Sequence, residues 1–331
     1  MGAGILSIVF NAQDMARTKV RDSADPMWEL VFSIHRLQTR VGYLNHLDWH
    51  RQVRRDIRAA GLAPLLRSTL LPLMPLSFYF PDFLTPSTGS GEIEEMIDII
   101  ADTPRTQVRR QMETMIAQGT SLPPWTADLA AGQPAARRHL SEGLRRYFDV
   151  AVRPHWPTIG RRVTEHRLVR QSGVLQDGMS SLLTELSPST RWHPPVLQVH
   201  GYPRDQRLVL RGRGITLIPS YFCQGSPVAL ANPALEPVLV YPAPREESST
   251  IDAGSSSDGV DMLLGRTRAA ILRAASLGTS TTELARCTGT SPATASHHTA
   301  ILRNAGLLTS HRVGKQILHR TTDLGRRLSG A

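Results

Sequence analysis

The chain of 331 residues carries 38 Lys or Arg against 28 Asp or Glu, a formal net charge of +10 with a sequence pI near 10.5. It is too long for one ordinary domain of roughly 100 to 200 residues, and its basic surplus favours polyanions or anionic surfaces as partners. Its two cysteines, Cys223 and Cys287, make no disulfide framework, and Arg67, Pro64, Pro72 and Pro75 interrupt its most apolar stretch. These features argue against secretion and membrane spanning, so a cytoplasmic protein is expected.

The predicted elements begin with a strand, "ILSIVF", followed by "NAQDMARTKV". In "DPMWELVFSIHRLQTR", Asp25 and Pro26 signal a helix start, and Trp28, Val31, Phe32, His35 and Leu37 recur at helical spacing. Further helices are predicted near 45–60, 92–101, 104–118, 134–150 and 154–170, with the Pro-rich stretch 72–86 as a loop. From residue 195 the texture changes. "PVLQVHG", "QRLVLRGRGITLIPS" and "PVLVYPA" are short β-branched runs bounded by Gly and Pro, with "RGRG" as a hairpin turn, and they predict a small antiparallel sheet.

Residues 1–260 hold no G-x-S-x-G, H-E-x-x-H, G-x-x-x-x-G-K-[ST] or G-x-G-x-x-G, so no catalytic residue, metal site or cofactor is assigned and no enzyme activity is expected. His193 and His200 flank a predicted strand without an acidic or Cys partner. Arg pairs at 54/55, 109/110, 137/138, 145/146 and 161/162 read as solvated helix faces, with DNA contact as the alternative. Trp28, Trp125 and Trp156 read as core.

"APREESSTIDAGSSSDGVD" (243–261) is polar and Ser-rich, and is expected to be a flexible linker. Beyond it, "MLLGRTRAAILRAASLG" is an amphipathic helix. "STTE" (280–283) is a capping box opening a second helix, which Gly289 ends by taking a left-handed conformation. Ser291 as N-cap and Pro292 at the first helical position start a third helix almost at once. Two short helices so joined, with the small Ala285 at their crossing, form a helix-turn-helix. "GLLTSHR" and "KQILHRTT" predict a β-hairpin, and a last helix caps on Thr321 or Thr322. The expected fold class is therefore α+β: a mainly helical domain (1–242) with a small antiparallel sheet, and a winged helix-turn-helix domain (262–331).

"SPATASHHTAILRNAGLL" followed by "GKQILHRTTDLGRRL" resembles the winged-helix module of ArsR-type bacterial transcription regulators. "NAQDMARTKV…DPMWELVFSIHRLQ" and "PVLVYPA" are similar to an uncharacterised region that accompanies such modules in actinobacterial regulators. The resemblance implies a DNA-binding regulator of transcription. Metal-sensing members place two Cys on the helix before the turn; "ELARCTG" offers Ala285 and Cys287, so the thiolate pair is missing. Thr299 stands where the family usually has Leu, and Ala300 where a basic residue is common.

Charge agrees with that reading, since residues 261–331 hold ten Lys or Arg and three acids, a net +7 in this stretch. At about 100° per residue, Ala295, His298, Thr299 and Leu302 share one face of the third helix, while Ala293, His297, Ala300 and Asn304 share the other. His297 and His298 point about 100° apart and cannot share a metal. The residues expected on DNA are Ser291, Thr294, Ser296, His297 and Arg303 from the helix, and Arg312, Lys315 and Arg320 from the wing. Ser291 has capping as its alternative role, His297 simple solvation, and a zinc site between His311 and His319 lacks further ligands. The expected partner is double-stranded DNA with a palindromic operator, bound by a homodimer on the nucleoid. Residues 1–242 supply dimerisation, with sensing of a small-molecule effector left open. The alternative is an enzyme or interaction protein whose winged helix docks a partner chain.

Overall fold

The computed structural model describes residues 4–39, 46–76, 79–87, 91–202, 204–230, 232, 235–243, 261, 263–314 and 316–329. Of the described residues 56% are helical and 17% strand, with several small sheets, which makes the fold α+β. Two compact units are present. One comprises Met1–Gln38 with Arg51–Arg245, the other Thr39–His50 with Glu246–Ala331. Of the expected linker, residues 244–260 lie outside the described residues.

The first unit opens with β1 (Gly4–Val9), α1 (Ala12–Arg17) and β2 (Lys19–Val20). Asn11 and Asp14 form a reciprocal capping box on α1, and Asp14 also takes the amide of Gly214 at 3.0 Å. Helices follow: α2 (Pro26–Gln38), α3 (Leu47–Ala59, of which residues 51–59 fall in this unit), α4 (Ala63–Leu65), α5 (Leu71–Leu73), α6 (Ile93–Ala101), α7 (Arg105–Ala117), α8 (Trp125–Ala131), α9 (Pro134–Tyr147), α10 (Trp156–Asp177) and α11 (Met179–Thr184). A π-helical turn, Leu66–Leu70, joins α4 to α5, so the stretch 63–73 is helical where no helix was expected. Its prolines, Pro64 and Pro72, sit in the first turns of α4 and α5, where a missing N–H costs little.

The strand region departs from the expected small antiparallel sheet. β3 (Thr190–His193), β4 (Val196–Tyr202) and β5 (Gln206–Val209) take β1 into one four-stranded sheet of order β3-β4-β1-β5. β6 (Thr216–Ser220), β7 (Val228–Ala229) and β8 (Val238–Pro242) take β2 into a second, β2-β6-β8-β7. Both are mixed: β1–β5, β2–β6 and β6–β8 run parallel. "RGRG" is not a hairpin turn, because β5 and β6 belong to different sheets; Arg211 there adopts φ 57. Alternation along a strand reveals which residues face inward but not which strand lies beside it. Along β1, Leu6 and Ile8 are buried between flanking residues that are not, and they join Leu182, Leu183, Leu197, Leu217, Leu239 and Tyr241 in one core.

Every residue of α2 from Pro26 to Arg36 is buried. A helix apolar on nearly all sides belongs inside, and Glu29 within it needs partners. Its carboxyl accepts the amides of Tyr221 at 2.7 Å and Phe222 at 3.0 Å. Burial outweighs those two donors and pushes its pKa up to about 7, with Asp25 adding to the rise. Burial also pushes the Cys223 thiol up to about 12, so this cysteine is an inert core group. Trp28 is core as expected, whereas Trp125 and Trp156 are only half-buried.

The second unit runs α12 (Arg266–Ala274), β9 (Thr279–Ser280), α13 (Thr281–Thr288), α14 (Pro292–Asn304), β10 (Leu308–Val313), β11 (Gln316–Thr321) and α15 (Asp323–Ser329). Ile271, Leu272, Ala275, Leu284, Leu302, Leu307 and Leu308 make its core. β9 adds to the hairpin as a third strand, in the order β10-β11-β9. Ser280 caps α13 by accepting the Glu283 amide at 3.3 Å, while the Glu283 carboxylate lies 3.7 Å from Arg286. α15 is capped by Thr322, whose hydroxyl takes the Gly325 amide at 3.0 Å.

Candidate nucleic-acid interface

α13 ends at Gly289, which takes φ 64 and lets the Thr290 amide return to the Ala285 carbonyl at 2.9 Å. α14 then starts immediately. Ser291 accepts the Thr294 amide at 3.1 Å, and its hydroxyl also meets that of Thr294 at 2.8 Å. Ser291 therefore serves as a cap, and both hydroxyls, exposed to solvent, share one hydrogen bond. Ser291→Ala is expected to lower the stability of this unit by about 1 kcal/mol, and Ser291→Gly by only a few tenths. Thermal unfolding reads the difference, and no loss in either variant would remove the capping role.

The faces of α14 follow the helical spacing. Ala295, Thr299 and Leu302 are buried, whereas Ala293, Thr294, Ser296, His297, Arg303 and Asn304 are exposed. Thr299 satisfies its buried hydroxyl by donating to the Ser296 carbonyl at 2.9 Å, which is how a polar residue occupies this core position. His298 is half-buried, its ring 5.6 Å from that of His297 and inclined by 54°. Burial lowers the His298 pKa, and His297 and Arg268 lower it further. Ala300 is half-buried rather than fully outward.

In the hairpin, Ser310 pairs with His319, His311 with Leu318 and Arg312 with Ile317. His311 and His319 are therefore out of register by one residue, and that offset puts them on opposite faces, against a zinc site between them. His319 is buried. Its Nδ1 lies 2.8 Å from the Ser310 hydroxyl and its Nε2 2.8 Å from the Thr281 hydroxyl, so one ring ties the hairpin to the first turn of α13. Burial lowers its pKa, aided by Arg303. Sequence reasoning missed this tie because β9 pairs with β11 only through tertiary folding.

The same alternation separates the expected wing contacts. Arg312, on the Ile317 side, is exposed, with Nε donating to the Gly314 carbonyl at 3.3 Å. Arg320 is half-buried and pairs with Thr309 on the other face. Lys315 lies outside the described residues. The three acids of residues 261–331 are each engaged: Asp261 with Arg273 at 2.7 Å, Glu283 with Arg286, and Asp323 with Arg326. Arg303 and Arg312 have no carboxylate within ion-pair distance among the described residues, so their charge is available to an anion.

Among the described residues no cluster of three or more His, Cys, Asp or Glu is arranged to hold a metal ion, and no helix is long and apolar enough to cross a membrane. In the first unit a groove on the outer face of β1, β4 and β5 is lined by Ile5, Ser7, Val9, Gln198 and Arg207. Glu29, His35 and Cys223, whose pKa values are displaced by burial, do not line it. Comparison with protein-family models, with curated proteins and with solved structures finds no match to this chain.

Proposed function

We propose that the chain is a sequence-specific, double-stranded DNA-binding regulator of transcription whose second unit is a winged helix-turn-helix. In this reading α14 enters the major groove, which admits one α-helix, and the β10–β11 hairpin lies against phosphates. The observation that carries it is the exposed polar face of α14, next in the chain to a hairpin whose Arg312 has no carboxylate partner among the described residues. Thr294, Ser296 and His297 offer donors and acceptors to base edges, and Ala293 offers a methyl group to thymine. The protein acts as a homodimer on a palindromic operator, with the first unit supplying dimerisation and a seat for a small-molecule effector. It works in the cytoplasm, on the nucleoid. We assign it no catalytic role.

Binding of the purified chain to its own promoter region, measured at low and moderate salt, tests the proposal; no binding at either overturns it. His297→Ala is expected to weaken operator binding by about 1–3 kcal/mol with little change on unrelated duplex. Arg312→Gln lowers both affinities and reduces the salt dependence by about one phosphate contact. Equal losses on operator and random DNA for His297→Ala would refute base reading by that ring.

A second reading, docking of a partner chain on this unit, is favoured by Ile317 and Leu324, which are 49% and 59% exposed. If it holds, Ile317→Ser abolishes partner binding and leaves duplex affinity intact.

A further inference from the structure

Helix α3 carries arginines at 51, 54, 55 and 58, the i, i+3, i+4, i+7 spacing that lines up one face. All four are exposed. The residues that anchor the helix, Trp49, Val53 and Ile57, are buried and lie on the opposite side. Within that stripe every arginine is three or four residues from two others, and like charges so placed repel. Some arginines elsewhere in the first unit are neutralised: Arg145 by Glu94 at 2.8 Å, Arg153 by Asp149 at 2.6 Å, Arg161 and Arg162 by Glu165, and Arg170 by Glu185 at 2.6 Å. On α3, Asp56 is instead held by the Gln52 amide at 2.9 and 3.1 Å, and Arg55 donates to the Gln52 carbonyl oxygen at 2.8 Å. Asp48, exposed at the first turn, flanks the stripe. Among the described residues none of the four arginines has a carboxylate within ion-pair distance.

We infer that the arginine face of α3 is a second contact surface for the phosphate backbone of duplex DNA, separate from the α14 interface. Residues 51 to 58 span about 10 Å of helix axis, over which one strand offers about three phosphates at one per about 3.4 Å. Guanidinium forks suit phosphate oxygens bidentately. A lipid surface fits less well, because Trp49, Val53 and Ile57 are already buried and not offered for insertion. The inference rests on the reading of duplex DNA as partner and extends the contact into the first unit.

The test uses the full chain and a duplex of unrelated sequence, with affinity followed against salt. Arg51→Gln, Arg54→Gln and Arg58→Gln together are expected to reduce the slope of log affinity against log salt by about 2 to 3. They should weaken binding at low salt at least tenfold, while the three corresponding Lys substitutions keep most of the slope. An Arg303→Gln, Arg312→Gln pair serves as the control in the second unit. If that pair lowers the slope and the α3 triple does not, the inference falls and the DNA reading stands. If the unaltered chain binds no duplex, both fall. Vesicles containing anionic lipid provide the last arm: loss of vesicle binding by the triple variant, with the duplex slope unchanged, assigns the face to lipid and overturns the inference.

Discussion

Gly325→Ala is expected to destabilise the second unit by about 3 kcal/mol and, on the proposed function, to lower duplex binding with it. Alanine is favoured over glycine inside a helix by about 1 kcal/mol, so helix propensity alone predicts the opposite sign. The steric cost wins because α15 crosses the backbone of Leu307. A Cβ on Gly325 would fall inside contact distance of the Leu307 carbonyl oxygen, 3.1 Å from its carbon and 3.2 Å from the Leu272 Cδ1. That carbonyl cannot retreat freely, since it accepts the Thr322 amide at 3.0 Å while the Thr322 hydroxyl holds the Gly306 carbonyl at 2.6 Å. Gly289→Ala gives the contrast. A Cβ there meets nothing within 4 Å, and the φ of 64 alone costs about 1 kcal/mol. Thermal unfolding of the two variants should rank them in this order; equal shifts would refute the close approach of α15 to Leu307.

The second large effect is a pH profile written by Glu29. Its pKa rises from an ordinary 4.5 to about 7 in the folded chain. Below the unfolded value both states hold the proton and nothing is lost. As pH climbs from about 4.5 toward 7, the unfolded carboxyl ionises while the folded one resists, so this group removes on the order of 3 kcal/mol of stability across that window. Asp25, also raised by burial, acts with the same sign. His35, held neutral by burial down to about 3, tilts the profile the other way, favouring the fold as pH rises toward 6.5. Comparing the native chain with Glu29→Gln isolates the one carboxyl. The variant should be less stable at pH 5 by about 1–3 kcal/mol, because its amide presents a donor to one of the two backbone donors at Tyr221 and Phe222. That deficit should shrink or reverse by pH 7.5. Parallel profiles in denaturant titrations would contradict the buried, proton-holding carboxyl.

What the sequence makes legible is what neighbours in the chain decide. Ser291 and Pro292 mark the start of α14, and Gly289 marks the end of α13, because capping is a contest within four or five residues. The inward set Ala295, Thr299 and Leu302 follows from helical spacing. The role of His319 does not, because its partners Thr281 and Ser310 arrive from different elements. The two mixed sheets are hidden for the same reason: "ILSIVF" reads as a strand, yet nothing in it names β4 and β5 as neighbours. Glu29 was detectable in principle. An acid inside "PMWELVFSIHR", apolar on nearly every side, must find buried donors or keep its proton. The arginine stripe on α3 is visible in the sequence as "RQVRRDIR", but its lack of carboxylate partners is a property of the folded unit.

The position of β1 has a consequence for how the chain comes into being. Residues 4–9 lie between β4 and β5, so this strand leaves the ribosome well ahead of its partners and finds them only when residues 196–209 have followed it. Until then an apolar strand, bearing Leu6 and Ile8, has both edges unsatisfied and is open to pairing with other chains. The nascent protein therefore depends on whatever shields that strand during synthesis, and a chain interrupted before residue 196 should be prone to aggregation, however well its helices form.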